Sequence, residues 1–310
     1  MPQILMDGIS KSFKVSQRPE GKFGILRGAF SRKTKIIQAL KDICFQICEG
    51  ELVGYIGPNG AGKTSVIKLI MNLLRCDSGS ISIFGMDSRT NEKEIKERIG
   101  FVYDTNIYPE HLSLGKIGSL IAGFYKKWDQ GQFEKYLERF ELNPGSRLYK
   151  LSKGMKMKFS IAVALSHHAE LIIMDEPTSG LDPVFRRELL DIMHGLMEHG
   201  DCSIIFSTHI TSDLDRIADF ITLIDKGRIV FSKSFDDIMG NYRVLKGPKS
   251  FIDKIDPSWL KGVRVNKFGF DALCTEGVKA AEELGDSIVL EKPSIEDIMV
   301  YLSGKAGEQA

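Results

Sequence analysis

Three short stretches hold residue types that could do chemistry together. Residues 57–65, Gly-Pro-Asn-Gly-Ala-Gly-Lys-Thr-Ser, fit the pattern G-x-x-x-x-G-K-[ST]. Glycines so spaced let successive backbone N–H groups turn inward around phosphate oxygens, and a helix beginning there adds its positive end. Gly57, Pro58, Asn59, Gly60, Ala61, Gly62 and Ser65 are therefore assigned to a nucleotide. Lys63 would reach its outer phosphates, and the Thr64 hydroxyl would take a Mg²⁺ position. The second stretch begins 112 residues after Lys63 (175 minus 63), where Asp175 and Glu176 follow an apolar run. Acids at the edge of a core are costly unless something binds them. Asp175 stands where a carboxylate would hold Mg²⁺ through its water shell. Glu176 would face the water that attacks a γ-phosphate and act as general base. The third stretch is Ser207-Thr208-His209, where a histidine ends an apolar segment. ATP and Mg²⁺ are the expected cofactors.

Those residues need elements to hold them. Glu51 to Ile56 suits a buried strand, and Val66, Ile67, Ile70 and Leu74 recur at helix spacing after Lys63. Leu171 to Met174 predicts a strand leading into Asp175, and Ser203 to Phe206 predicts another ending just before His209. Between the phosphate loop and the acids the pattern turns helical. Ser113 would cap a helix whose Ile117, Leu120, Ile121 and Phe124 share one face, and Phe133, Leu137 and Phe140 form a second stripe. His167 and His168 would lie at a helix C-terminus, where their partial charge suits the dipole.

The bulk composition is that of an ordinary globular protein: 310 residues, 43% hydrophobic and 27% charged. A net charge of +1 supplies no global field for nucleic acid or acidic membrane. None of the five cysteines forms a C-x-x-C pair, which fits a reducing compartment. Cys44 and Cys48 would share one strand face as small apolar residues. The start, MPQILMDGIS, lacks the charged beginning and apolar core of a signal peptide. No apolar run approaches the ~18 to 20 residues that span a bilayer, so work at a membrane would need another chain to cross it.

DEPTSGLDP, residues 175–183, resembles the Walker B motif and D-loop of the ATP-binding cassette (ABC) superfamily. Leu151-Ser152-Lys153-Gly154-Met155 resembles the signature sequence, and His209 resembles the switch histidine. With the phosphate loop, these motifs cover residues 51–210. The resemblance implies an α/β fold, a P-loop NTPase cassette with a mixed-sheet core, a helical subdomain at about 101–166 and a small C-terminal α/β extension. It implies that two cassettes clasp two ATP head to tail. Lys63, Asp175, Glu176 and His209 of one subunit would then face Ser152 and Gly154 of the other, with Asp182 at the seam. Phe13 occupies the place of an adenine-stacking aromatic.

Two positions depart from the family pattern. The signature is usually L-S-G-G-Q, and Lys153 and Met155 replace a glycine and the glutamine. Lys153 either adds charge near phosphate or faces solvent. Asp104 stands where the Q-loop glutamine is usual, and either reaches Mg²⁺ through water or caps the loop. Both departures resemble the exporter branch with ABC-2-type membrane partners, including exporters of antibiotics and amphipathic peptides such as phenol-soluble modulins. Tyr103, Tyr108 and Pro109 are candidates for a groove receiving the permease.

The division expected is an ATPase domain over 1–240 and an accessory extension over 241–310, with a helix between Val278 and Leu284 and a closing helix after Pro293. A basic insert at 14–38 carries seven Lys/Arg and one Glu, a balance of +6 (seven minus one). Its Phe23, Ile25, Leu26 and Phe30 either edge a membrane- or partner-contacting segment or belong to a solvated loop. The functional expectation is an ATP-hydrolysing subunit at the cytoplasmic face of the membrane. It would dimerise with an identical or different ATP-binding subunit and power export through a separate ABC-2-type permease, with no nucleic acid partner. The alternative is a soluble ABC ATPase acting as a clamp on ribosome or DNA. A single phosphate loop and a 112-residue gap with no room for a coiled coil weigh against it.

Overall fold

The computed structural model describes residues 2–16, 34–198, 200 and 202–303. Most of the basic insert, with Phe23, Ile25, Leu26 and Phe30, lies outside the described residues. The centre is a six-stranded sheet in the order β10-β9-β3-β8-β7-β6. Its members are β3 (Leu52–Ile56), β6 (Ile99–Val102), β7 (Leu171–Asp175), β8 (Ser203–Thr208), β9 (Phe220–Asp225) and β10 (Arg228–Ser234). All pair in parallel except β10, which returns antiparallel beside β9. Every residue of β3, β7 and β8 is buried. A parallel sheet covered on both faces reads as a continuous apolar run, which is why these strands stood out in the sequence.

The covering differs on the two faces, and strand alternation divides the side chains between them. Leu52 and Ile56 of β3, Ile172 and Met174 of β7, and Ile204 and Phe206 of β8 join a core built mainly with helices. Val53 and Tyr55, Leu171 and Ile173, and Ile205 point into a second core under an antiparallel sheet. That sheet, β2-β1-β4-β5, consists of the long strands β1 (Pro2–Ser16) and β2 (Thr34–Cys48) with β4 (Ser78–Ile83) and β5 (Met86–Asp87). Cys44 and Cys48 share a face of β2, but it is the outer one: Cys44 is exposed and its sulfur accepts from the Gly8 N–H. The apolar side of β2 is Ile43, Phe45 and Ile47.

The helices in order are α1 (Lys63–Ile70), α2 (Glu92–Glu97), α3 (Leu114–Ala122), α4 (Gln130–Arg139), α5 (Lys153–Ala164), α6 (Pro183–Glu198), α7 (Leu214–Ile217), α8 (Phe235–Asn241), α9 (Gly277–Leu284) and α10 (Ile295–Leu302). Between β6 and β7, α3, α4 and α5 pack through Phe133, Phe140, Phe159 and Ile117. Leu120 and Phe124, assigned by spacing to the buried stripe of α3, are exposed instead. Periodicity finds a stripe but not the width that neighbours cover. Ser113 sits at the N-cap of α3 without a side-chain cap bond.

From Arg243 the chain builds a third sheet, β12-β13-β11-β14, from β11 (Arg243–Gly247), β12 (Leu260–Val265), β13 (Phe270–Cys274) and β14 (Val289–Glu291). Ser294 opens α10 with a reciprocal capping box to Asp297. Ile295, Ile298 and Tyr301 of that helix enter the helix-side core beside Leu214 and Ile238, so this sheet shares apolar packing with the central one.

Candidate active site

The order β3-β8-β7 sets three loops side by side at the carboxyl ends of parallel strands, the usual location of ligands in open α/β sheets. β3 leads into the glycine loop and α1, β7 into Asp175 and Glu176, and β8 into His209. Backbone geometry dictates the first loop. A Cβ on Gly57 would sit 2.2 Å from the Ile224 carbonyl oxygen, and one on Gly62, whose φ is 117°, 2.7 Å from Leu40. Glycine alone fits this approach.

Lys63 is the first residue of α1 and is buried. Its ammonium donates to the Gly57 carbonyl at 2.7 Å and lies 3.7 Å from Glu176 Oε1. Burial pushes its pKa down, while Glu176 and Asp175 pull it up. Asp175 is buried at the end of β7 and accepts from Ser207 Oγ at 2.9 Å. Desolvation raises its carboxyl above the usual range, against the lowering effect of the Ser207 and Thr64 hydroxyls. Glu176 adopts a left-handed backbone with φ 52°, its N–H donating to the Ser207 carbonyl at 2.9 Å. Non-glycine residues reach that region at a cost, and such strain gathers where a side chain must be aimed. Here it turns the Glu176 carboxylate to His209, whose Nδ1 is 2.6 Å from Oε2.

A cavity of about 360 Å³ opens onto these groups. Of the residues assigned from the sequence, Asn59, Gly60, Gly62, Lys63, Thr64, Ser65, Asp104, Glu176 and His209 line it. Gly57, Pro58 and Ala61 build the loop behind it, Gly57 through its bond to Lys63 and Pro58 by accepting from Ala61 N–H at 3.1 Å. Asp175 stands behind Thr64. Phe13 is not in the lining; it pairs with Ile37 across β1 and β2, two residues from Ala39, which is. Ser152 and Gly154 lie at the start of α5, outside the cavity, where Ser152 Oγ accepts from Met155 N–H at 3.2 Å. Asp182 caps α6 by accepting from Val184 and Phe185 N–H groups.

Two assignments change, and Lys153 gains a partner: its side chain is about half exposed, and its ammonium is 2.7 Å from Asp104 Oδ1 at the edge of the cavity, joining the two departures from the family pattern. Tyr108 packs edge-on against Phe159, so its ring belongs to the helical core rather than to a groove. His167 is buried and stacks on Tyr125, with ring nitrogens near the Ile99 and Val163 carbonyls, and burial lowers its pKa. It is a packing residue, not a charge at a helix end. Ala39 and Ser179 also line the cavity and Ser207 holds Asp175, and none of the three is found by sequence reasoning. Ser207 lies in a strand, Ser-Ile-Ile-Phe-Ser-Thr, with two further hydroxyls, so nothing singles it out.

With this geometry in view, relatives can be compared. A family model described as ABC transporter matches residues 40–179. The ATP-binding protein NatA of Bacillus subtilis is 30% identical over 221 residues, which cover 69% of this chain and 89% of NatA. The chain belongs to the ABC transporter family of ATP-binding proteins. The bacitracin transport ATP-binding protein BcrA of Bacillus licheniformis is 34% identical over 195 residues, covering 61% of this chain and 63% of BcrA. The chain thus spans less than two thirds of that relative's length. A solved ATP-binding subunit of an ABC transporter superposes with a TM-score of 0.64 at 27% identity, covering 77% of this cassette and 92% of that chain. The fold is that of the ABC cassette, an α/β P-loop NTPase with a mixed sheet and helices.

Proposed function

We propose that this cassette hydrolyses ATP and powers export through a separate ABC-2-type membrane subunit. The observation that carries the reading is the convergence of Lys63, Thr64, Glu176 and His209 on one cavity, with Asp175 buried behind it and held by Ser207. Asn59 to Ser65 would cradle the phosphates through backbone N–H groups at the start of α1. Lys63 would offset the charge on the outer phosphates. Thr64 and Asp175 offer hard oxygen donors at one spot, a set that suits Mg²⁺ completed by nucleotide oxygens and water. Bound there, Mg²⁺ would neutralise charge developing on the transferred phosphoryl group. Glu176 would take the proton of the attacking water, and His209 would hold the Glu176 carboxylate in orientation through the 2.6 Å contact.

Ser152 and Gly154 fit a nucleotide held by a second ATP-binding subunit, identical or different. Ser152 stands at a helix N-terminus, an anion site, and lies off this chain's own cavity. The relative named for bacitracin transport, together with the motifs shared with antibiotic and amphipathic-peptide exporters, supports a substrate of that class. Residues 1–240 would form the ATPase unit and 241–310 an accessory extension. Among the described residues no helix is long and apolar enough to cross a membrane, which agrees with attachment to the cytoplasmic face through a permease.

The test is purification of the full chain from its native membranes in mild detergent, with identification of what accompanies it. A stoichiometric polytopic protein is the expected result. Recovery with ribosomes or DNA and no membrane protein would favour a soluble clamp.

A further inference from the structure

Lys153 and Asp104 come from separate parts of the chain, yet their side chains meet at 2.7 Å. Asp104 follows β6 and lines the cavity with Lys63, Thr64 and Glu176. Lys153 is the first residue of α5, where the helix dipole disfavours a cation. One turn on, Lys156 meets Glu110 at 2.8 Å, so both basic residues of that turn are held by carboxylates from the segment after β6. Asp104 and Glu176 line the cavity and Asp175 is buried behind its wall, so three carboxylates surround the place where a polyphosphate would bind, with Lys63 the lysine lining the cavity. A third negative charge there opposes an anionic ligand unless something offsets it.

We infer that Lys153 is a positioning residue of the nucleotide site: by pairing with Asp104 it neutralises the extra carboxylate of the cavity wall, so that the two substitutions work as one unit. The inference rests on the nucleotide reading proposed above. It differs from a role for Lys153 at a partner's phosphate, because it concerns the cavity of Lys153's own chain. Both side chains are about half exposed, which keeps the effect modest and sensitive to salt.

The test is titration of the full-length chain with a fluorescent ATP analogue, in EDTA and in Mg²⁺, at low and high salt. Lys153→Gln should weaken Mg²⁺-free binding about two- to fivefold at low salt, with less loss at high salt. Asp104→Asn should bind at least as tightly as wild type, Lys153→Arg should match wild type, and Lys153→Gln/Asp104→Asn should recover wild-type affinity. Glu110→Gln breaks the outer pair and should leave affinity unchanged. Unaltered binding by Lys153→Gln at low salt overturns the inference, as does a loss that persists in the double variant. Lys63→Ala separates the two levels: if it binds as wild type, the nucleotide site itself is misassigned.

Discussion

The glycine loop and the start of the signature helix would both meet phosphate, but they are made in opposite ways. The loop is fixed by backbone: Gly57 presses on the Ile224 carbonyl and Lys63 is buried against its own loop. The signature end is held by exposed charge pairs from α5 to the segment after β6. Backbone packing leaves no alternative residue, whereas an exposed pair can be exchanged for another pair. This accounts physically for a phosphate loop that fits its pattern beside a signature and a Q-loop that both depart from theirs.

The comparison can be broken first at the chemistry the rigid side supports. Glu176→Gln should slow ATP turnover by ~10²–10⁴-fold while nucleotide binding survives. Steady-state turnover beside equilibrium binding checks this, and near-normal turnover would remove Glu176 from the role of base. Next comes the loop backbone. Gly57→Ala should cost about 1–3 kcal/mol of folding stability, because the new Cβ would meet a main-chain oxygen that cannot swing away. Denaturant unfolding would measure it, and an unchanged midpoint would show the loop to be softer than its packing indicates.

The signature side should give smaller numbers. Ser152→Ala removes the acceptor for Met155 N–H and should cost ~1 kcal/mol, less if water takes over the cap. The smallest effect is one of pH. His167 is buried with its pKa lowered from 6.5, so above that value folded and unfolded chains are both neutral there. As pH falls below 6.5 the unfolded chain takes up a proton that the folded one resists, and stability is lost toward the depressed folded value. Urea midpoints at neutral and mildly acid pH should diverge in the wild type and converge partly in His167→Gln. Equal slopes for the two proteins would mean that another group sets the acid limit.

The same contrast explains what could be read from the sequence. Residues 57–65 and the acid pair are contiguous, because cradling a phosphate and ending a strand are local acts. Ala39 reaches the cavity through the pairing of β1 with β2 and Ser179 through the turn after Glu176, while Ser207 meets Asp175 through the β7–β8 ladder. None of these carries a local pattern that names its partner. The Lys153–Asp104 contact spans two elements, so the sequence showed two departures without showing that they touch. Leu120, Phe124 and Cys44 fell on the wrong side of the surface for a related reason: spacing assigns a face but not what covers it.

Glu176 stands at a corner where the backbone would prefer glycine. With φ at 52°, a side chain there costs about 1–2 kcal/mol that glycine would avoid. At this position the more robust protein and the working one are different sequences. Heat tolerance selected without a demand for turnover would drift toward losing the carboxylate, and a library sorted on folding alone would enrich inert cassettes.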